Sequence, residues 1–145
     1  MKNRRVMELI RKERRLEREI RRKKEQHAEL VAQATSTGSF RYDQEKVTRS
    51  SPDGSRQERI VIEYVMLEEE IEKAEAERKK AERKIRILIG RLPERERNLM
   101  RDRLIEHHEV ETIMQQTGIT YDTYRQRYHR AISRMEETFD ICHKS

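Results

Sequence analysis

The chain has 145 residues, of which 43% are charged and 33% hydrophobic, with no Trp, two Phe and a net charge of +6. A single globule of this length wants about half apolar residues, so one broad core is excluded in favour of long solvated helices with narrow seams, or of disorder. One cysteine, Cys142, excludes an intrachain disulfide framework and fits a reducing compartment, and the lack of any long apolar run predicts no membrane span.

The opening segment, MKNRRVMELIRKERR, is charged throughout, unlike a secretory signal. Leu9, Glu13, Leu16, Ile20, Lys23, His27, Leu30 and Ala34 follow a four-three rhythm, with Val6 and Ile10 alongside. That spacing predicts a helix over 3–34 whose seam is interrupted by polar residues. It is a poor homodimer zipper and a better partner for a neighbouring helix, with Lys and Arg stems covering apolar surface. Arg21 to Lys24, RRKK, reads as the solvated face of this helix rather than as a nuclear address. From Met1 to Ala34 there are 12 Lys/Arg against 6 Asp/Glu, so the whole positive excess lies here. This basic helix can lie along DNA phosphates, meet an acidic partner, or stay unpartnered.

A loop is predicted over 35–52, with Phe40 and Tyr42 as candidate anchors. It would be longer than most in compact domains. The next helix is predicted over 53–90. Ser51-Pro52 supplies a cap with proline at the first helical position, and Ser55 with Glu58 forms a capping box. Ile60, Tyr64, Leu67, Ile71, Ala74, Arg78, Ala81, Ile85 and Leu88 give a heptad seam sustained over four repeats and broken only by Arg78. Ala74 and Ala81 allow close approach of another helix. The expected fold is therefore all-α: a long antiparallel, coiled-coil-like hairpin over 1–90, with homodimerisation through its seam left open, then a separate domain over 91–145.

That domain is closely punctuated. Leu92-Pro93 opens a helix, PERERNLMRDRLIEHH; Glu109 to Gln116 forms a second; Gln116-Thr117-Gly118-Ile119 is a turn; and Thr120 caps the last helix. On it Tyr124, Tyr128, Ala131 and Met135 make one apolar stripe. Two helices joined by a short glycine turn form a helix-turn-helix arrangement. At 100° per residue, Asp122, Arg125, Gln126 and His129 cluster opposite the stripe, with Tyr121 at the N-terminal end. This is the layout of a helix whose first residues enter the major groove. Arg125 can pair bidentately with guanine, Gln126 with adenine, and Asp122 can accept from cytosine. Thr120, Arg127, Arg130 and Arg134 suit phosphates. The bland reading is a helical cap whose polar residues are merely wet.

Leu92 to Arg97, the helix through Leu104, the turn from Val110 to Gly118, and TYDTYRQRYHRAISRM from Thr120 to Met135 resemble the C-terminal DNA-binding domain of bacterial sigma factors. Arg125-Gln126 matches the family's Arg-Gln in its recognition helix. Arg130 to Met135 matches its basic-Ala-Leu-x-basic-Leu close. The resemblance spans roughly Ile85 to Glu137. It implies that Tyr121, Asp122, Arg125 and Gln126 contact bases and phosphates, and that Pro93 to His107 corresponds to the helix with which such tails bind a flap of RNA polymerase. This chain has Tyr121-Asp122 where members often carry Arg-Glu, and Arg127 at an apolar family position, so the target sequence stays open. With the helical hairpin in front, the chain resembles small phage regulators with a sigma-like tail, of the ArpU and RinA late-gene activator type. That likeness implies sequence-specific binding of double-stranded promoter or operator DNA, cooperation with host RNA polymerase, and the bacterial cytoplasm as location. The rival readings are a phage DNA-packaging (terminase) small subunit and a coiled-coil protein-interaction adaptor.

His107-His108-Glu109 lacks the spacing of a metal motif. Cys142 has no catalytic partner motif, and neither a P-loop nor a G-x-S-x-G is present. The expectation is a non-enzyme without metal or cofactor.

Overall fold

Seams that repeat every three and four residues bury side chains only when the backbone is helical, and every described element is a helix or a helical turn. The computed structural model describes residues 3–44 and 52–144, with side-chain surroundings for 3–35 and 56–139. The order is α1 (Arg4–Gln44), α2 (Pro52–Gly90), α3 (Glu94–Met100), a π-helical turn (Arg101–Ile105), α4 (Val110–Thr117) and α5 (Tyr121–Lys144). No described helix is long and apolar enough to cross a membrane.

Helix α1 runs ten residues past Ala34, through the first part of the predicted loop. Thr-Ser-Thr-Gly is a weak helix former but holds no proline, and the Thr35 hydroxyl donates to the Val31 carbonyl at 2.8 Å, a bond that suits a continuing helix. The anchors Phe40 and Tyr42, the cap at Ser51 and the side chain of Ser55 lie outside the described side chains.

The chain divides into two compact units, Leu16–Glu77 and Met1–Arg15 with Arg78–Ser145. In the Leu16–Glu77 unit, Leu16 and Ile20 of α1 pack with Ala74 of α2. Polar seam residues find partners there. Lys23 Nζ lies 3.4 Å from Glu70, and His27 Nε2 lies 2.9 Å from Glu68. The His27 ring also meets Tyr64 edge-on, centroids 5.5 Å apart. Partners descend along α2 as they ascend along α1, so the two segments run in opposite directions. Ile60, Leu67 and Ala74 are buried, so these seam positions are covered within the chain.

The second unit holds the larger core. Val6 and Ile10 of α1, and Ile85, Leu88 and Ile89 of α2, join Leu92, Leu99, Met100, Leu104, Ile113, Tyr124, Ala131, Ile132 and Met135 in one cluster. The unit's two seam interruptions meet: Arg78 Nε donates to Glu13 Oε1 at 3.2 Å, with the Glu13 side chain 3% and the Arg78 side chain 32% exposed. His107, in the left-handed region at φ 57°, brings its Nε2 to 3.7 Å from the same oxygen. Glu136 of α5 caps α1 from outside: its Oε1 accepts from the Val6 N–H at 3.0 Å, and its other oxygen pairs with Arg5. The carboxylate thus satisfies a free donor at the positive end of the helix.

Arg78→Leu should cost about 3 kcal/mol of unfolding free energy, the low end for a buried pair because part of the Arg78 side chain stays wet. Glu13→Leu with Arg78→Leu should recover most of that loss, since no charge is left buried alone. Urea denaturation of the two variants checks this; a double variant less stable than the single would contradict it.

Candidate nucleic-acid interface

The site is built where α4 turns into α5. Gly118 closes α4 at φ 71°, its N–H donating to the Met114 carbonyl at 2.8 Å. A side chain there would be strained by the left-handed backbone, which is why glycine ends the helix. Two residues on, the Thr120 hydroxyl accepts from the Thr123 N–H at 3.2 Å, and the Tyr124 N–H reaches the Thr120 carbonyl at 2.9 Å. The turn and cap read from the sequence are thus made by those residues.

The back of α5 is fixed by burial. Tyr124, Ala131, Ile132 and Met135 are at most 5% exposed, and half-buried Tyr128 stacks on Tyr124 with centroids 5.9 Å apart. Ile132 was missed as part of the stripe: it follows Ala131 directly and widens the buried face beyond a strict i, i+4, i+7 line. Burial pushes the Tyr124 phenol above its ordinary 10.0, with the Arg103 guanidinium acting the other way. The hydroxyl oxygen is buried with no hydrogen bond of good geometry.

The opposite face is open. Tyr121 is 55% exposed, and Asp122, Arg125, Gln126 and His129 are exposed with it, as is the capping Thr120. The His129 ring meets the edge of Tyr128 at 6.0 Å. Among the described residues Arg125 and Gln126 have neither an ion pair nor a side-chain hydrogen bond, so both donors are available. All five residues proposed to read bases therefore lie on one solvent-facing side at the first turns of α5.

The arginines assigned to phosphates are placed differently from one another. Arg127, half-buried, and exposed Arg130 and Arg134 line one cleft with Pro93, Glu94, Arg95 and Glu96 of the α3 approach. Arg134 Nη1 lies 3.4 Å from Glu96 Oε2, and the Glu96 side chain is 7% exposed. That oxygen makes no well-formed hydrogen bond, so the contact is electrostatic. Arg134 is thus partly spent on its own fold, which leaves Arg127 and Arg130 as the freer cations. Arg95 joins them in the cleft. Sequence reasoning missed it because it belongs to another helix; its place two residues after Pro93, at the start of α3, was the only available signal.

His107 is engaged with Glu13 as described, and Arg103 Nη1 donates to the His108 carbonyl at 3.1 Å. The side chain of Cys142 lies outside the described residues. Comparison with known proteins gives no matching family model, no matching curated protein and no matching solved structure.

The Tyr124 shift carries a sign. With the folded value raised above the ordinary 10.0, its stabilising effect is whole below that pH and is lost as pH rises through the folded value, because the unfolded chain releases the proton first. Tyr124→Phe should therefore be neutral or slightly stabilising at pH 7 and should flatten the alkaline fall. Thermal unfolding between pH 7 and 11 tests it; identical pH curves for the two proteins would contradict this account.

Proposed function

We propose that the chain is a sequence-specific DNA-binding regulator: a long antiparallel helical hairpin joined to a sigma-like helix-turn-helix in which α5 reads the major groove. The observation that carries this reading is the solvent-facing set Tyr121, Asp122, Arg125, Gln126 and His129 on one side of a helix whose other side is locked in a core. A helix held by its back cannot roll, so its front side chains keep a fixed register against a duplex. Arg125 and Gln126 carry the bidentate donors and acceptors that distinguish base pairs. Arg127 and Arg130, with Arg95 nearby, flank that face as phosphate contacts, which set orientation without reading sequence.

The wider reading is a phage or prophage late-gene activator that works with host RNA polymerase in the bacterial cytoplasm, without catalysis. It is supported by the order of elements from α3 to α5 and by their likeness to the sigma tail. On this reading the α3 region, Pro93 to His107, is the surface for polymerase.

DNA capture across a host genome, followed by footprinting of the recovered site, tests the proposal. Arg125→Ala should lose about 1–3 kcal/mol of preference for that site over its single-base variants. Arg130→Ala should weaken all duplexes alike and lower the slope of log K against log salt by about 1. Arg130 is the cleaner choice than Arg134, whose removal would also uncover Glu96. An unchanged footprint with Arg125→Ala would defeat the assignment.

A further inference from the structure

Helix α2 has apolar residues on two sides. Ile60, Tyr64, Leu67 and Ile71 form its inward seam. Val61, Ile62, Val65 and Met66 are 44, 56, 41 and 56% exposed. At 100° per residue they lie about 100–240° round the helix from Ile60, with Met66 at the edge that also borders a groove beside Leu30 and Gln33 of α1. Four neighbouring exposed apolar side chains on one helix face mark a contact surface.

The charges around them are sorted. From Arg56 to Glu77 there are eight Glu against three Lys/Arg, a net of −5. From Arg78 to Arg91 there are seven Lys/Arg against one Glu, a net of +6, and this stretch exposes its own apolar residue, Ile87, at 46%. Glu58, Glu69, Lys80, Arg83 and Arg91 are exposed and have no ion-pair partner among the described residues.

We propose that the acidic-apolar face of α2, carried by Ile62, Met66 and Glu69, docks on the basic-apolar face carried by Lys80, Arg83 and Ile87 of a second copy of this chain, with the two helices antiparallel. The spacing names the occupant. Ile62, Met66 and Glu69 are separated by steps of four and three, and Ile87, Arg83 and Lys80, read backwards, by the same steps. In that register Ile62 meets Ile87, Met66 lies along the aliphatic stem of Arg83, and Glu69 meets Lys80. A parallel, in-register pair would set Glu69 against Glu69 and Lys80 against Lys80, which is repulsive. Because only a short apolar stripe is buried, the charge pairs must supply register, and association must weaken with salt.

Sedimentation equilibrium of the full chain, over a range of concentration and salt, tests this. The wild type should be a reversible dimer that dissociates as salt rises. Ile62→Glu should raise the dissociation constant about tenfold, equivalent to ~1.4 kcal/mol. Glu69→Lys and Lys80→Glu should each weaken self-association, whereas an equimolar mixture of those two variants should form dimers as well as the wild type does. Circular dichroism checks that each variant keeps its helix content, since all three changes are at exposed positions. A wild type that is monomeric throughout, as expected if another protein or a DNA backbone covers these faces, would overturn the proposal. So would a dimer indifferent to Ile62→Glu, or a mixture that fails to pair.

Discussion

The Glu13–Arg78 pair sets the register of the unit that carries the candidate site. Within this unit each residue interrupts an apolar seam, and a buried charge without a partner costs several kcal/mol. The two seams can tolerate their faults only if the faults coincide. Sliding α1 by one heptad against α2 would place Glu13 against Ile71 or Ile85 and strand the carboxylate. The 3.2 Å contact therefore acts as a register pin, a role polar seam residues commonly fill in coiled coils. His107 approaches the same carboxylate oxygen from the far end of the π-helical turn, so the pin also touches the segment that leads into α4.

From that pin the rest of the unit follows by burial. With α1 and α2 fixed, Val6, Ile10, Ile85, Leu88 and Ile89 present one apolar wall, and Ala131, Ile132 and Met135 of α5 pack into the same cluster. Glu136 then ties α5 to the start of α1. Core contacts hold the back of α5, and the Glu136 carboxylate fastens its far half to the start of α1. The face opposite is left with polar residues that no internal contact consumes. The same physics distinguishes the arginines of α5: Arg125 on the open side stays free, whereas Arg134 lies 3.4 Å from the buried Glu96 carboxylate of α3.

Much of this was legible in the sequence because periodicity reports burial directly. All nine seam positions predicted on α2 and all eight on α1 are buried or half-buried, and the Gly118–Thr120 punctuation does what those residue types do elsewhere. Pairings between distant positions were not legible. Glu13 and Arg78 read as two separate defects, since nothing local shows that they meet. Glu96 carries no mark of its burial in the sequence, because that burial depends on where α5 lies. The continuation of α1 to Gln44 was missed because the glycines and the proline of the connection were read as one loop, although Gly38 lies within the helix. The π-helical turn at Arg101–Ile105 left no mark in composition at all.

The charge of α2 shows how summation hides information. Over Arg56 to Gly90 the acids and bases balance, nine against nine, and a net of zero reads as a neutral, solvated helix. Their order tells more: the acids come first and the bases last. Electrostatic contact between two helices depends on which charge faces which, so a neutral but sorted helix is complementary to its own reverse. The apolar residues behave the same way. With Ile60, Leu67 and Ile71 on one side and Ile62, Val65 and Met66 on the other, their contributions to amphipathicity cancel, and the helix looks as if it had no preferred face. One face is consumed by α1. What the other face meets is then a matter of matching order, and the same polypeptide supplies an ordered match.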